Sequence, residues 1–167
     1  MNVKFIPLEM ILVYSESRKS FACYLLIVLH ILLGIGAVFG GSTMILSPDG
    51  SILQMPLKML QHSPFDNFLI PGLILFALLG VIPLITAIFL YSEKPLKAVE
   101  KISIYKTTHW SWNISLYIGF TLIIWITVQM YMIKGIAFIH VFYILLGLLI
   151  QFVTLLPSVK DHYSKVQ

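Results

Sequence analysis

The chain has 167 residues, of which 59% are hydrophobic and only 11% charged. A soluble domain carries about 25% charged residues, and so short a chain cannot hide the excess apolar surface in its own core, so most of it must be solvated by lipid. The net charge of +4 comes from 11 basic and 7 acidic residues; the basic residues fall between apolar blocks, which is a membrane-topology pattern and not a nucleic-acid footprint. The single cysteine, Cys23, excludes an internal disulfide and a CxxC redox pair.

The N-terminal tail is apolar for a tail, and Leu8 to Ser15 reads as an interfacial helix. It does not read as a cleavable signal. Glu9, Glu16, Arg18 and Lys19 interrupt it, and the apolar run that follows is too long for a signal core. Four blocks then reach the roughly 20 apolar residues needed to cross a bilayer: Phe21 to Leu46, Phe68 to Tyr91, Trp112 to Ile133 and Ile136 to Leu156. None contains Asp, Glu, Lys or Arg. Backbone polar groups in lipid must be satisfied within the segment, so each block is expected to be a helix, and the alternation of a membrane β-strand is absent. The expected fold is all-α, a four-helix transmembrane bundle forming one domain over residues 1–167, with no internal repeat.

Lys4, Arg18, Lys19, Lys94, Lys97, Lys101, Lys106, Lys160 and Lys165 would lie on one side of the membrane, and only Lys58 and Lys134 on the other. This nine-to-two split places both termini in the cytoplasm. Trp110, Trp112, Tyr91 and Tyr163 suit the inner interface, and Tyr131 and Phe138 the outer one.

The outer connection 47–67 is long for a bundle, yet it keeps Ile52, Leu53, Met55, Leu57, Met59, Leu60 and Phe65 and should pack over the bundle. Ser47-Pro48-Asp49-Gly50 has the chemistry of a type I turn. Pro56 can open a helical turn, and Ser63-Pro64-Phe65-Asp66 matches a helix start. Ile70-Pro71-Gly72 should interrupt the second span near its beginning, and Pro83 should kink it further on. The inner loop 92–111 is lysine-rich and reads as a solvated loop or short surface helix. Lys134-Gly135 is the turn of a tight hairpin between the last two spans.

Several residues carry candidate chemistry. Asp49, His62 and Asp66 share the outer loop and could hold a metal or exchange protons, although a turn role for Asp49 and a cap role for Asp66 account for two of the three. His30, at mid-depth in the first span, could relay protons or donate a hydrogen bond to a quinone; a neutral histidine bonded to a neighbouring helix is the simpler account. Gln129 and Gln151 could cross-link the last two spans or line a small polar cavity, with Trp125 one turn from Gln129. His140 lies near the outer interface, and its depth does not match that of His30 for a haem pair. Gly36 and Gly40 form a GxxxG pattern, extended by Gly34 and Gly41, that lets another helix come close. No span holds an acidic coupling group or an arginine series, and no Ser/His/Asp, HExxH, Walker or GxSxG motif occurs.

Pro48-Asp49-Gly50-Ser51, Ser63-Pro64-Phe65 and Phe68-Leu69-Ile70-Pro71-Gly72, together with His109-Trp110, Trp125 and Gln129, resemble a pattern in a family of four-span bacterial membrane proteins with no assigned activity. The resemblance covers the outer loop and the third span. It implies a cytoplasmic-membrane location and supplies no reaction, cofactor or metal.

Three function classes follow. A structural or accessory subunit, contacting lipids and either a membrane-protein partner or further copies of itself, is favoured by the missing catalytic groups and the small-residue face. A lipid- or quinone-binding protein or enzyme would use His30 or the outer-loop trio, and calls for an aromatic-lined cavity open to lipid. An oligomeric small-solute transporter would use the kinked second span and the glutamine face.

Overall fold

The computed structural model describes residues 19–164; the expected interfacial helix from Leu8 to Ser15 lies outside them. Four helices are long and apolar enough to cross a membrane: α1 (Phe21–Leu46), α2 (Leu69–Ser92), α3 (Trp110–Ile133) and α4 (Phe138–Leu155). A short helix, α5 (Pro157–His162), follows α4. Among the described residues there is no strand, only an isolated antiparallel bridge between Thr108 and Ser164. The bundle has a loop end, covered by the connection between α1 and α2, and a tail end, where Lys19, the 93–109 loop and α5 meet.

Local chemistry sets the helix boundaries. Ser20 caps α1 by accepting from the Cys23 N–H at 3.3 Å. The His109 side chain caps α3 by accepting from the Ser111 N–H, so α3 begins at Trp110, two residues before the apolar block does. α3 stops where Lys134 takes a left-handed backbone, φ 55°. The hairpin therefore turns on Lys134 and not on Gly135, and the ammonium of Lys134 sits over the Tyr131 ring, 3.8 Å from its centroid.

The second span departs from expectation. Ile70-Pro71-Gly72 does not interrupt it, because Pro71 falls in the first turn of α2, where a missing N–H has no intrahelical partner to lose. The irregularity comes later. Residues Leu75–Val81 are π-wound, with the Ile82 N–H reaching back to the Ala77 carbonyl. Pro83 follows directly and cannot donate to the carbonyl of Leu79, so a widened turn there is the expected accommodation.

α1 and α2 pack almost backbone to backbone. A Cβ on Gly41 would lie 2.7 Å from the Phe76 nitrogen, and one on Gly80 would lie 3.1 Å from the Val38 nitrogen. The close approach anticipated for the small face of α1 is made through Gly34 and Gly41, the two glycines that extend the GxxxG pattern, with Gly72 and Gly80 of α2, whereas Gly36 and Gly40 meet only side chains. α3 and α4 close similarly at Gly119 and Gly147, whose carbonyls face each other's missing side chains. Around these contacts Leu26, Leu33, Leu79, Leu90, Trp112, Leu122 and Ile150 form the buried core. The outward faces remain apolar, with Phe21, Ile88, Phe120, Ile124 and Phe152 all exposed. A surface of this kind is one that a bilayer or another protein covers.

The tail end is tightly organised. Trp112 donates to the Thr154 carbonyl (2.8 Å), and Ser115 and Thr154 exchange a hydroxyl bond (2.8 Å). Asn113, fully buried, accepts from the Tyr105 N–H (3.0 Å) and donates to the Tyr105 carbonyl (3.1 Å) and the Thr108 hydroxyl (2.9 Å). The 93–109 segment is thus held as a lid on the bundle, and it contains a short helix, Lys97–Glu100, one of the two forms expected of it. Tyr163 closes the other side, its hydroxyl donating to the Leu90 carbonyl at 2.7 Å.

At the loop end, Met44, Leu60 and Phe68 form a second small core with Leu53, Met55, Met59 and Phe65 around them. Gly50 makes this turn possible: its φ is 77°, and a Cβ there would lie 2.1 Å from the Met55 carbonyl oxygen. Leu57–Leu60 forms a single 3₁₀ turn after Pro56.

Candidate functional site

Between these two ends lies a cavity of about 420 Å³. Its walls are Leu33, Gly36, Ala37 and Gly40 of α1, Leu75 and Leu79 of α2, Trp125, Ile126 and Gln129 of α3, and His140 and Tyr143 of α4, roofed by Leu53, Met55 and Met59. All the helix residues among them lie at or on the loop side of their helix midpoints. The two leucines of α2 belong to its π-wound stretch. The exposed members of the lining, Phe39 on α1 and Ala137 and Ile139 at the start of α4, mark a mouth between those two helices. A smaller pocket of about 30 Å³ adjoins it and shares Met55, Met59, Trp125, Gln129 and Ile133.

The glycines explain why space exists here. Gly36 and Gly40 face the cavity; a Cβ on Gly36 would stand 3.0 Å from the Tyr143 hydroxyl, and one on Gly40 only 3.4 Å from Leu75 Cδ2. α4 starts at Phe138 after a short hairpin turn, and its first turns flank this space.

The polar groups of the cavity are few and uncharged. His140 is buried at 7% exposure, and its Nδ1 accepts from the Ala137 N–H at 3.0 Å, which ties the ring to the start of α4. A nitrogen that accepts a hydrogen bond carries no proton, so the ring is neutral and protonated at Nε2. The indole N–H of Trp125 is buried without a hydrogen-bond partner. Gln129 stands one turn along the same helix. The cavity lining contains no Asp, Glu, Lys or Arg.

The other candidates are dispersed. Asp49 accepts from Ser47 and Ser51 within its own turn, and those bonds hold its carboxyl below the usual range. His62 pairs with Gln61 at the surface, and Asp66 is exposed. No three His, Cys, Asp or Glu side chains among the described residues are grouped so as to hold a metal. His30 is fully buried, and its Nδ1 donates to the Leu26 carbonyl of its own helix at 2.8 Å, so the bond to a neighbouring helix is replaced by an intrahelical one. Its Nε2 has no partner, and neither has the Gln151 amide nitrogen. Gln151 packs over Gly119 and is not part of the cavity wall.

Of the sequence candidates, the structure thus brings together Trp125, Gln129, Gly36, Gly40 and His140. It adds Tyr143, which composition alone did not single out, and the roof comes from Met55 and Met59 of the connection that was expected to pack over the bundle. Tyr143 lies three residues after His140, hence on the same helix face, and that spacing is the signal that would have found it.

The fold and cavity define a four-helix bundle, all-α among the described residues, with an aromatic- and methionine-lined chamber at one end. Protein-family profiles, curated proteins and solved structures give no match to this chain.

Proposed function

We propose that this is a multi-pass membrane protein that binds a small lipid-soluble ligand in the loop-end cavity, with both termini in the cytoplasm and the loop end facing outward. The observation that carries the reading is a chamber of about 420 Å³ with an apolar lining, a few convergent polar groups and a mouth between α1 and α4. That volume lies within the roughly 300–1,000 Å³ typical of small-molecule sites. A mouth on the lipid-facing side of a span admits molecules already dissolved in the bilayer. The absence of catalytic motifs favoured an accessory subunit, but a subunit that only packs against others does not call for such a chamber. The orientation rests on the basic residues: Lys19, Lys94, Lys101, Lys106 and Lys160 cluster at the tail end, against Lys58 and Lys134 at the loop end.

The test is native mass spectrometry of the full chain extracted gently from its membrane. One apolar molecule retained per chain is expected, and its loss in Gly40→Leu, which fills the cavity from α1. Bare-chain masses for both proteins, with nothing bound to either, would refute the reading. For the orientation, a cysteine at exposed position 58 (Lys58→Cys) should react with a membrane-impermeant maleimide from outside intact cells.

A further inference from the structure

The hydrogen-bonding capacity of the cavity is lopsided. The indole N–H of Trp125 can only donate. His140 has its accepting nitrogen occupied by the Ala137 N–H at 3.0 Å, so its remaining nitrogen can also only donate. The Tyr143 hydroxyl lies over Gly36, at the distance where a Cβ would touch it at 3.0 Å, and can supply a third proton. Only Gln129 brings a carbonyl of its own. The Trp125 N–H is buried and unsatisfied, a state that is rare in folded proteins and costly to keep.

The chemistry of an occupant follows from this inventory. An ionised ligand would meet no countercharge in an apolar chamber. A ligand offering only donors would find side-chain acceptors only at Gln129 and the Tyr143 hydroxyl. A carbonyl oxygen has two lone pairs and no proton, so it can accept from two of these groups at once. The rest of the chamber is hydrocarbon: Leu33, Ala37, Leu79, Leu122 and Ile126 line its deeper part, toward mid-bundle. His140 and Gln129 lie closer to the loop end than these residues do.

Building on the ligand-binding reading above, we infer that the cavity takes a neutral lipid-soluble carbonyl compound, a ketone, quinone or ester, whose oxygen is held by donors from α3 and α4. The same chemistry is offered by a free carbonyl molecule and by the ester groups of the bilayer lipids themselves.

The test uses the full chain reconstituted in vesicles of ether-linked phosphatidylcholine, which carry no ester carbonyl. A decyl-substituted naphthoquinone and decylnaphthalene are added at the same mole fraction, and occupancy is read by native mass spectrometry. The naphthoquinone should be retained about tenfold better, the preference expected of one or two net hydrogen bonds. Trp125→Phe combined with Tyr143→Phe should cut that preference, with His140 left as the remaining donor, and Gly40→Leu should exclude both. Equal retention of the two probes by the native chain, lost in Gly40→Leu, would overturn the carbonyl inference and leave the ligand-binding reading standing. Retention of neither, or retention untouched by Gly40→Leu, would overturn both. Repeating the experiment in ester-linked vesicles separates the two sources. A drop in naphthoquinone occupancy there identifies lipid esters as competitors for the site, whereas unchanged occupancy identifies a free carbonyl compound as its occupant.

Discussion

Gly36 lies beneath Tyr143: a Cβ at position 36 would stand 3.0 Å from the phenolic oxygen, with no other atom in close contact. Gly41, five residues on, has a different neighbour, the backbone of α2, with the Phe76 nitrogen at 2.7 Å and the Gly72 oxygen at 2.9 Å from where a Cβ would be. The two glycines of one helix therefore hold different things apart. Gly36→Ala displaces only the end of a flexible side chain, and the gain in helix propensity, about 1 kcal/mol, offsets the crowding. Its melting temperature in detergent should stay close to that of the native chain. Gly41→Ala forces two backbones apart and should cost about 1–3 kcal/mol, the usual range for overpacking. Equal melting temperatures for the two variants would contradict this division of roles.

Glu93 ties the tail end together. Its carboxylate accepts from the ammonium of Lys19, which precedes α1, and from His162 of α5 at 2.9 Å. Burial alone would raise the pKa of Glu93, but the hydrogen bonds and charges of Lys19 and His162 outweigh it and hold the carboxyl below its ordinary value of 4.5. A depressed carboxylate contributes stability that is present above the unfolded-state pKa and lost as the pH falls through the folded one. The native chain should therefore lose melting temperature on acidification below about pH 4.5, and Glu93→Gln should flatten that limb. Parallel acid limbs in the two proteins would show that the tie contributes nothing measurable. The carboxylate is partly exposed, so the effect should also shrink in high salt.

Asn113 holds the 93–109 lid by four hydrogen bonds, two to the backbone of Tyr105, one to the Thr108 hydroxyl and a longer one to the His109 carbonyl. Asn113→Ala strands the Tyr105 N–H and empties a fully buried site. A cost of about 1–3 kcal/mol is expected for the unsatisfied group. The loop, not the bundle, should report it first: limited proteolysis should cut between 100 and 108 faster in the variant, with helix content unchanged. Unchanged cleavage would mean that Tyr117, which accepts from the Ile104 N–H at 3.1 Å, holds the lid without help.

Much of the bundle is legible in the sequence because long uncharged apolar runs form helices, as a lipid environment would require of them. The four blocks match the four helices to within about two residues at each end. Pro71 misled because its effect depends on which turn it occupies, and the first helical residue is set by Leu69 and Asn67, whose side chain accepts from the Leu69 N–H at 3.0 Å. The short helix of the 93–109 lid was foreseen, but its anchoring was illegible because Asn113 and Tyr117 reach back to it from inside an apolar block. In the cavity, Trp125 and Gln129 were visible as a pair one turn apart. The role of Gly36 and Gly40 was not, since a GxxxG pattern records only that side chains are missing. Whether a helix or a void fills the gap depends on where α4 begins.

His30 supplies the last prediction. It is fully buried, it donates through Nδ1 to Leu26 of its own helix, and its Nε2 is an acceptor with no partner. It does not line the cavity. A buried acceptor left unpaired costs about 1–3 kcal/mol, whereas an apolar side chain of similar size can be neutral or stabilising at such a site. His30→Leu should therefore raise the melting temperature or leave it unchanged, without altering the molecule retained by the cavity. His30→Ala, which leaves a void as well, should lower it. If His30→Leu folded normally but abolished ligand retention, the unpaired Nε2 would belong to the binding site, and the boundary of the cavity would have to extend further along α1 to His30.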